Sequence, residues 1–194
     1  MNLGQETITW IELLGTLTGI AGVWLTVRQN IWCFPVGMIN VILYAAVFYQ
    51  SRLYGDAALQ IFYVALLAYG WQNWQCKKSR NELLVTKLNP RQWVFSLGFL
   101  AAGTYSIHFL LSRYTNSDIA EWDALTTSMS LLAQWMIAQK KIENWILWVI
   151  ADFIYIGMYL HKGLYFTAFL YFVFIVLAVK GYFDWKKSES AYVR

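Results

Sequence analysis

The residue best suited to binding chemistry is an aspartate near the centre of an apolar run, residues 142–160. Aromatic residues recur around Asp152 at the helical spacings i−7, i−4, i+3 and i+7: Trp145, Trp148, Tyr155 and Tyr159. In a helix, this spacing places one carboxylate on a face lined with aromatic rings. Aromatic rings hold a flat cation by stacking and cation–π attraction, and a carboxylate offsets its charge. The pattern predicts a binding site for a flat, cationic ligand.

Three more candidate binding residues lie within other apolar runs. Asn40 is central in the run 31–49, whereas Gln60 and Tyr63 lie in the run 53–74. Polar groups inside a bilayer are costly and by default indicate function, and a glutamine can donate and accept hydrogen bonds, as a sugar or amide ligand requires. Hydrogen bonding between helices is the alternative role for Asn40 and Gln60, and a purely structural bond is the alternative for Asp152.

Signatures of catalysis and of cofactor binding are missing from the sequence. His108 and His161 are isolated from other metal-ligating residues, and Cys33 and Cys76 form no CxxC motif. The chain has neither a Walker-type phosphate loop nor a GxSxG nucleophile motif. We therefore expect a protein that is not an enzyme and that carries no metal or cofactor.

The elements that must position these residues are long apolar segments. Of the 194 residues, 59% are apolar and 13% are charged. An average soluble domain is about 45–50% apolar and about 25% charged. Because about 20 apolar residues cross a bilayer as a helix, the composition predicts an all-α integral membrane protein. The seven predicted transmembrane helices cover residues 8–27, 31–49, 53–74, 93–112, 123–139, 142–160 and 164–183.

The basic residues are unevenly distributed between the two sides of such a bundle. Arg52, Arg113 and Lys162 lie on one side, and the other twelve of the 15 Lys and Arg residues lie on the opposite side. The positive-inside rule places the twelve in the cytoplasm, with the N-terminus outside and the C-terminus inside. Because the basic residues separate apolar runs rather than forming one face, the net charge of +4 indicates topology and not nucleic-acid binding.

A weak internal repeat relates the first three helices to the last three. In the alignment of the two halves Asn40 pairs with Asp152, and after the loss of a single position in a loop Trp74 pairs with Trp185. This predicts two parallel three-helix repeats joined by a linker helix, an arrangement that in transporters places the substrate site near the midplane. The predicted parts are a first repeat (8–74), a cytoplasmic loop (75–92), a linker helix (93–112), a second repeat (123–183) and a cytoplasmic tail (184–194).

Several sequence blocks resemble the PnuC family of bacterial vitamin-precursor transporters, in an order that covers nearly the whole chain. The blocks are WIELLGTLTGIAGVW, GMINVILYAAVFYQSRLYGDAALQ, YGWQNW, and ENWILWVI followed by KGLY. The resemblance implies a SWEET-like fold of three, one and three helices in the bacterial inner membrane, assembled as a homotrimer. It also implies facilitated diffusion of nicotinamide riboside or a related vitamin, which a cytosolic kinase then traps by phosphorylation.

The resemblance also bears on individual residues. Trp145 and Trp148 match the family's aromatic substrate motif, and Gln60 matches its glutamine on helix 3. Asp152 departs from the asparagine of nicotinamide riboside transporters and resembles the thiamine-transporting branch. We expect nicotinamide riboside, with thiamine as the alternative substrate. Proton-coupled transport through Asp152, and a membrane receptor or assembly subunit that does not transport, are the other hypotheses.

Overall fold

The computed structural model describes residues 3–50, 54–78, 83–114, 119–161, 163 and 165–192. Within these ranges the chain forms seven helices, as the apolar runs predict, although several extend beyond the predicted ends. The C-terminal segment, predicted as a tail from residue 184, continues the last helix. Of the basic residues used for topology, Arg52, Arg80, Lys162 and Arg194 lie outside the described residues. The helices are α1 (Leu3–Val27), α2 (Cys33–Gln50), α3 (Tyr54–Lys78), α4 (Pro90–Tyr114), α5 (Ala120–Ala138), α6 (Asn144–His161) and α7 (Tyr165–Tyr192).

The chain divides into two compact units, Met1–Leu83 and Leu84–Arg194. In the first unit, α2 packs against both α1 and α3; in the second, α5 packs against α4 and α6, and α6 also packs against α7. The predicted linker helix, α4, thus shares its core with the second unit. Many large apolar side chains are exposed on the helices, Val94 and Phe153 among them at 72% and 73%. Among the described residues, α4 and the segment Thr167–Glu189 of α7 are each long and apolar enough to cross a membrane.

Equivalent helices in the two units are related by one constant shift in residue number, which we call the repeat register. It pairs the end of α1 with the end of α5, both ends of α2 with both ends of α6, and the start of α3 with the start of α7. The turns after α1 and α5 match as well, since each contains a left-handed residue, Gln29 at φ 54° and Lys140 at φ 51°. The predicted pairing before the loop is therefore wrong by a single position: Asn40 corresponds to Ala151, and Asp152 corresponds to Val41.

A buried aromatic pair recurs at equivalent positions in the two units. Phe34 meets Trp74 edge to face with ring centroids 5.0 Å apart, and Trp145 meets Trp185 in the same way at 5.4 Å. The interplanar angles are 89° and 88°. From the sequence alone, Trp74 and Trp185, near the ends of apolar runs, are expected in the aromatic belt at the membrane interface, and that expectation is wrong. Both rings are enclosed, at 5% and 0% exposure, because each fills the space between the start of one helix and the end of the next.

The connection before α4 packs against the end of the second unit where α5 turns into α6. Thr86 forms a parallel β-bridge with Lys141: its N–H donates to the Lys140 carbonyl at 3.1 Å and its carbonyl accepts from the Ile142 N–H at 3.1 Å. The Glu143 carboxylate accepts from the buried Leu88 N–H at 2.9 Å. We call residues 84–89 the strap. Part of the predicted polar loop is thus a structural element of the second unit.

Candidate functional site

The second unit surrounds Asp152 with apolar and aromatic groups. Asp152 is the ninth of the 18 residues of α6, and its side chain is only 3% exposed. Its carboxylate makes no ion pair or hydrogen bond with the side chains that the structure describes, although it interacts electrostatically with Tyr171 on α7. Burying an unpaired charge is expensive. This carboxylate therefore needs a cation or a proton to balance it.

Three tyrosines from α6 and α7 form a cluster next to this carboxylate. Tyr155 and Tyr159 lie one and two turns along α6 from Asp152, and their rings stack with centroids 6.0 Å apart. Tyr171 of α7 lies against both, at 4.9 Å from Tyr155 and 5.0 Å from Tyr159, and Phe174 extends the cluster at 5.5 Å from Tyr171. Two members of the predicted aromatic face, Tyr155 and Tyr159, therefore lie in this group, and we call these three tyrosines the tyrosine cluster.

The hydroxyl of Tyr155 is fixed by a third helix. It forms side-chain hydrogen bonds with Thr126 and Ser130, which are one turn apart on α5. Both of these residues are buried, at 0% and 2% exposure. Thr126 is itself held in place because its hydroxyl donates to the Trp122 carbonyl at 2.9 Å. The cluster therefore joins α5, α6 and α7.

The two tryptophans of the predicted site have different surroundings. Trp145 is 2% exposed and packs against Trp185; a Cβ added at Gly181 would lie 2.6 Å from its ring. Such enclosure is typical of a residue that forms the core. Trp148, one turn before Asp152, is half-buried on α6. Contact of either ring with substrate stays a prediction, and Trp148 is the better placed because part of its surface is open.

The candidate residues of the first unit lie on α2 and α3. Asn40 uses its amide nitrogen to donate to the Gly15 carbonyl and to the Thr18 hydroxyl, the latter at 3.2 Å, and so links α2 to α1. This geometry fits the alternative in which Asn40 joins helices. Gln60 and Tyr63 are both half-buried on α3. In the repeat register, they occupy the positions that Tyr171 and Phe174 occupy in the second unit.

The structure brings Asp152, Tyr155, Tyr159 and Tyr171 together within one unit. The spacing of the first three on α6 predicted their shared face. The sequence did not predict Tyr171, Thr126 and Ser130, which lie on other helices. Tyr171 would have been found by applying the repeat register to Gln60. Among the described residues there is no group of three or more His, Cys, Asp or Glu side chains that could hold a metal ion.

Comparison with known proteins gives the same architecture over nearly the whole chain. A solved structure described as the vitamin B3 transporter PnuC aligns with a TM-score of 0.75 and 24% identity, over 94% of this chain and 83% of that protein. The nicotinamide riboside transporter PnuC of Escherichia coli is 25% identical, over 95% of this chain and 88% of the relative. The riboflavin/roseoflavin transporter RibM of Streptomyces davaonensis is also 25% identical, over 94% and 87% of the two chains.

The family model for nicotinamide mononucleotide transporters matches residues 9–187. The family and its members are transporters rather than enzymes, and they reside in bacterial membranes. This accounts for the seven apolar helices and for the extent of exposed apolar surface. The chain belongs to the PnuC family of multi-pass membrane transporters.

Proposed function

We propose that this protein transports nicotinamide riboside across the bacterial inner membrane by facilitated diffusion. One observation carries the proposal: a carboxylate at the centre of α6 is 3% exposed and borders a cluster of three tyrosines. The pyridinium ring of nicotinamide riboside is flat and carries one positive charge. Its charge would balance Asp152, while Tyr155 and Trp148 would stack against the ring. Gln60 and Tyr63 would bind the polar edges of the ligand, with Trp145 and Asn40 kept as further predicted contacts.

Thiamine is the second candidate substrate, and Asp152 is the reason. Thiamine also contains a flat cationic ring, so a carboxylate suits it as well as it suits nicotinamide riboside. A relative that transports riboflavin supports the idea that this fold accommodates more than one flat vitamin. The isoalloxazine ring of riboflavin, however, is uncharged and would leave the Asp152 carboxylate without a counter-charge. We therefore rank both cations above riboflavin.

The test is uptake by purified protein reconstituted in liposomes. Radiolabelled nicotinamide riboside should enter saturably until its concentrations inside and outside are equal, and unlabelled nicotinamide riboside should compete better than thiamine. Stronger competition by thiamine would replace the proposed substrate and keep the transport function. Binding without any uptake would overturn the transporter proposal in favour of a receptor or assembly subunit.

Two further proposals concern how uptake is driven. In vesicles that contain no enzyme, we expect that nicotinamide riboside does not accumulate above its external concentration. Enclosing a nicotinamide riboside kinase with ATP should trap the labelled product inside and raise its total above the external concentration. Accumulation without kinase that a protonophore abolishes would instead support proton coupling through Asp152.

Topology and assembly complete the proposal. The distribution of Lys and Arg supports a cytoplasmic C-terminus and an external N-terminus, and the repeat register supports two parallel three-helix repeats with α4 as their linker. The family resemblance supports a homotrimer surrounded by lipid. Mass determination of the detergent-solubilised protein should therefore give three copies of the 22.6-kDa chain.

A further inference from the structure

The two units hold an equivalent tyrosine in different ways. Tyr44 on α2 and Tyr155 on α6 correspond in the repeat register. In the first unit, Tyr44 lies directly on the backbone of α1, since a Cβ added at Gly15 would lie 2.9 Å from its ring. A side chain at this position would require the Tyr44 ring to move.

In the second unit, the positions of the two α1 glycines carry hydroxyl side chains. Gly15 corresponds to Thr126, and Gly19 corresponds to Ser130. Thr126 thus carries a side chain at the position where, in the first unit, an added Cβ would lie 2.9 Å from the tyrosine ring. The Tyr155 hydroxyl is instead hydrogen-bonded to both side chains, and Thr126, whose own proton goes to the Trp122 carbonyl, accepts in this contact. The equivalent tyrosine is therefore held by packing of its ring on the backbone in the first unit and by hydrogen bonds to its hydroxyl in the second.

The two α5 side chains are restrained as well as buried. Thr126 is anchored to the Trp122 carbonyl at 2.9 Å, and it lies on a helix whose neighbouring residues 127–130 are also buried. The Tyr155 ring also packs against Tyr171, with centroids 4.9 Å apart, and Tyr171 interacts electrostatically with Asp152. With its tip fixed, Tyr155 loses rotamer freedom before any ligand arrives. Preorganisation of this kind improves binding by reducing the entropy lost on association.

We infer that Thr126 and Ser130 are positioning residues that act through Tyr155 and set the affinity of the transporter for its flat cationic substrate. This inference rests on the proposed function. Neither residue needs to touch the substrate. Their contribution should appear in the half-saturation concentration of uptake, KM, and not in the maximal rate, beside the small loss of stability that any lost interhelical hydrogen bond causes.

The experiment is a double-mutant cycle in proteoliposomes with radiolabelled nicotinamide riboside as the probe. Thr126→Val removes the hydroxyl and keeps the shape of the side chain, and Tyr155→Phe removes the partner hydroxyl. Thr126→Val should raise KM about fivefold, as expected for the loss of one ordinary hydrogen bond, and Tyr155→Phe, which removes the bonds to both Thr126 and Ser130, should raise it at least as much. The maximal rate should stay unchanged. In the Tyr155→Phe background, Thr126→Val should have no further effect. Thr126→Ser, which keeps the hydroxyl, should restore the wild-type KM.

The matched control is Ser128→Ala. Ser128 lies on the same helix and is 0% exposed, but its hydroxyl has no hydrogen-bond partner among the described residues. Its removal should leave KM unchanged. Additive effects of Thr126→Val and Tyr155→Phe, or a KM for Thr126→Val equal to that of wild type, would overturn the positioning role. Failure of the wild-type protein to take up the riboside would instead overturn the proposed function.

Discussion

At the scale of single residues, Asn40 has two candidate roles, joining α2 to α1 or binding substrate, and its substitution should affect Tm in the first case and KM in the second. Its amide donates to Gly15 and Thr18 on α1, and side-chain hydrogen bonds between membrane helices contribute about 0.6 kcal/mol on average. Asn40→Ala should therefore lower Tm while KM for nicotinamide riboside stays unchanged, as measured by thermal unfolding in detergent and by vesicle uptake. A higher KM with an unchanged Tm would make Asn40 a substrate ligand.

Gly181 is a second residue whose substitution has a clear expected effect on stability. A Cβ at this position would lie 2.6 Å from the ring of Trp145, which is held between α6 and α7 and cannot retreat because Trp185 packs on it. Gly181→Ala should destabilise the protein by about 1–3 kcal/mol, as overpacked cores do. Gly157→Ala is the control, because nothing lies within 4 Å of its added Cβ. Equal melting temperatures for the two variants would show that the aromatic pair is not packed as described.

At the scale of elements, the strap should contribute to the stability of the second unit. Glu143 accepts the only hydrogen bond that is found for the buried Leu88 N–H among the described residues. Glu143→Ala leaves that donor unsatisfied, which costs about 1–3 kcal/mol. We expect a lower Tm for this variant and a near-normal Tm for Glu143→Gln, whose carbonyl can still accept.

The control for the strap is Glu121→Ala, because Glu121 is exposed at the start of α5. Its substitution should leave Tm unchanged. If Glu143→Gln were as unstable as Glu143→Ala, the hydrogen bond to the strap would not be the cause. The negative charge of Glu143 would then be the property that matters.

The number and order of the helices could be predicted from the length of the apolar runs, but the register between the two repeats could not. Composition and run length identified all seven helices, since a bilayer demands about 20 apolar residues each. The two left-handed turn residues, Gln29 and Lys140, are not of the type that favours this conformation, so no sequence signal fixed the repeat register. One residue of error rotates a helical alignment by about 100°, which paired Asp152 with Asn40 instead of Val41.

The site could be predicted only along one helix. The spacing of Asp152, Tyr155 and Tyr159 on α6 predicted their shared face, because helical geometry fixes it. Tyr171 and Thr126 join them through tertiary packing, which local periodicity does not encode. The same limitation explains Trp74 and Trp185: near a helix end a tryptophan suits both the membrane interface and a buried aromatic pair, and only packing decides between them.

At the scale of the whole molecule, the two native cysteines report membrane orientation. Cys76 is exposed at the end of α3, on the side predicted to be cytoplasmic, whereas Cys33 is buried. A membrane-impermeant maleimide should label the protein in inside-out vesicles and not in intact cells. Cys76→Ser should abolish that labelling. Labelling of Cys76 in intact cells would place the C-terminus outside and contradict the proposed topology.

We propose that Asp152 balances the positive charge of the transported vitamin. The most direct measurement compares the affinities of wild-type protein and Asp152→Asn for nicotinamide riboside and for its reduced, uncharged dihydro form, which has nearly the same shape. Asp184→Asn is the control, because this carboxylate pairs with Lys180 at 3.0 Å near the C-terminal end of α7. We predict that Asp152→Asn weakens binding of the cation by at least about tenfold, while binding of the neutral form changes little. Equal weakening of both forms would contradict the charge-balancing role of Asp152.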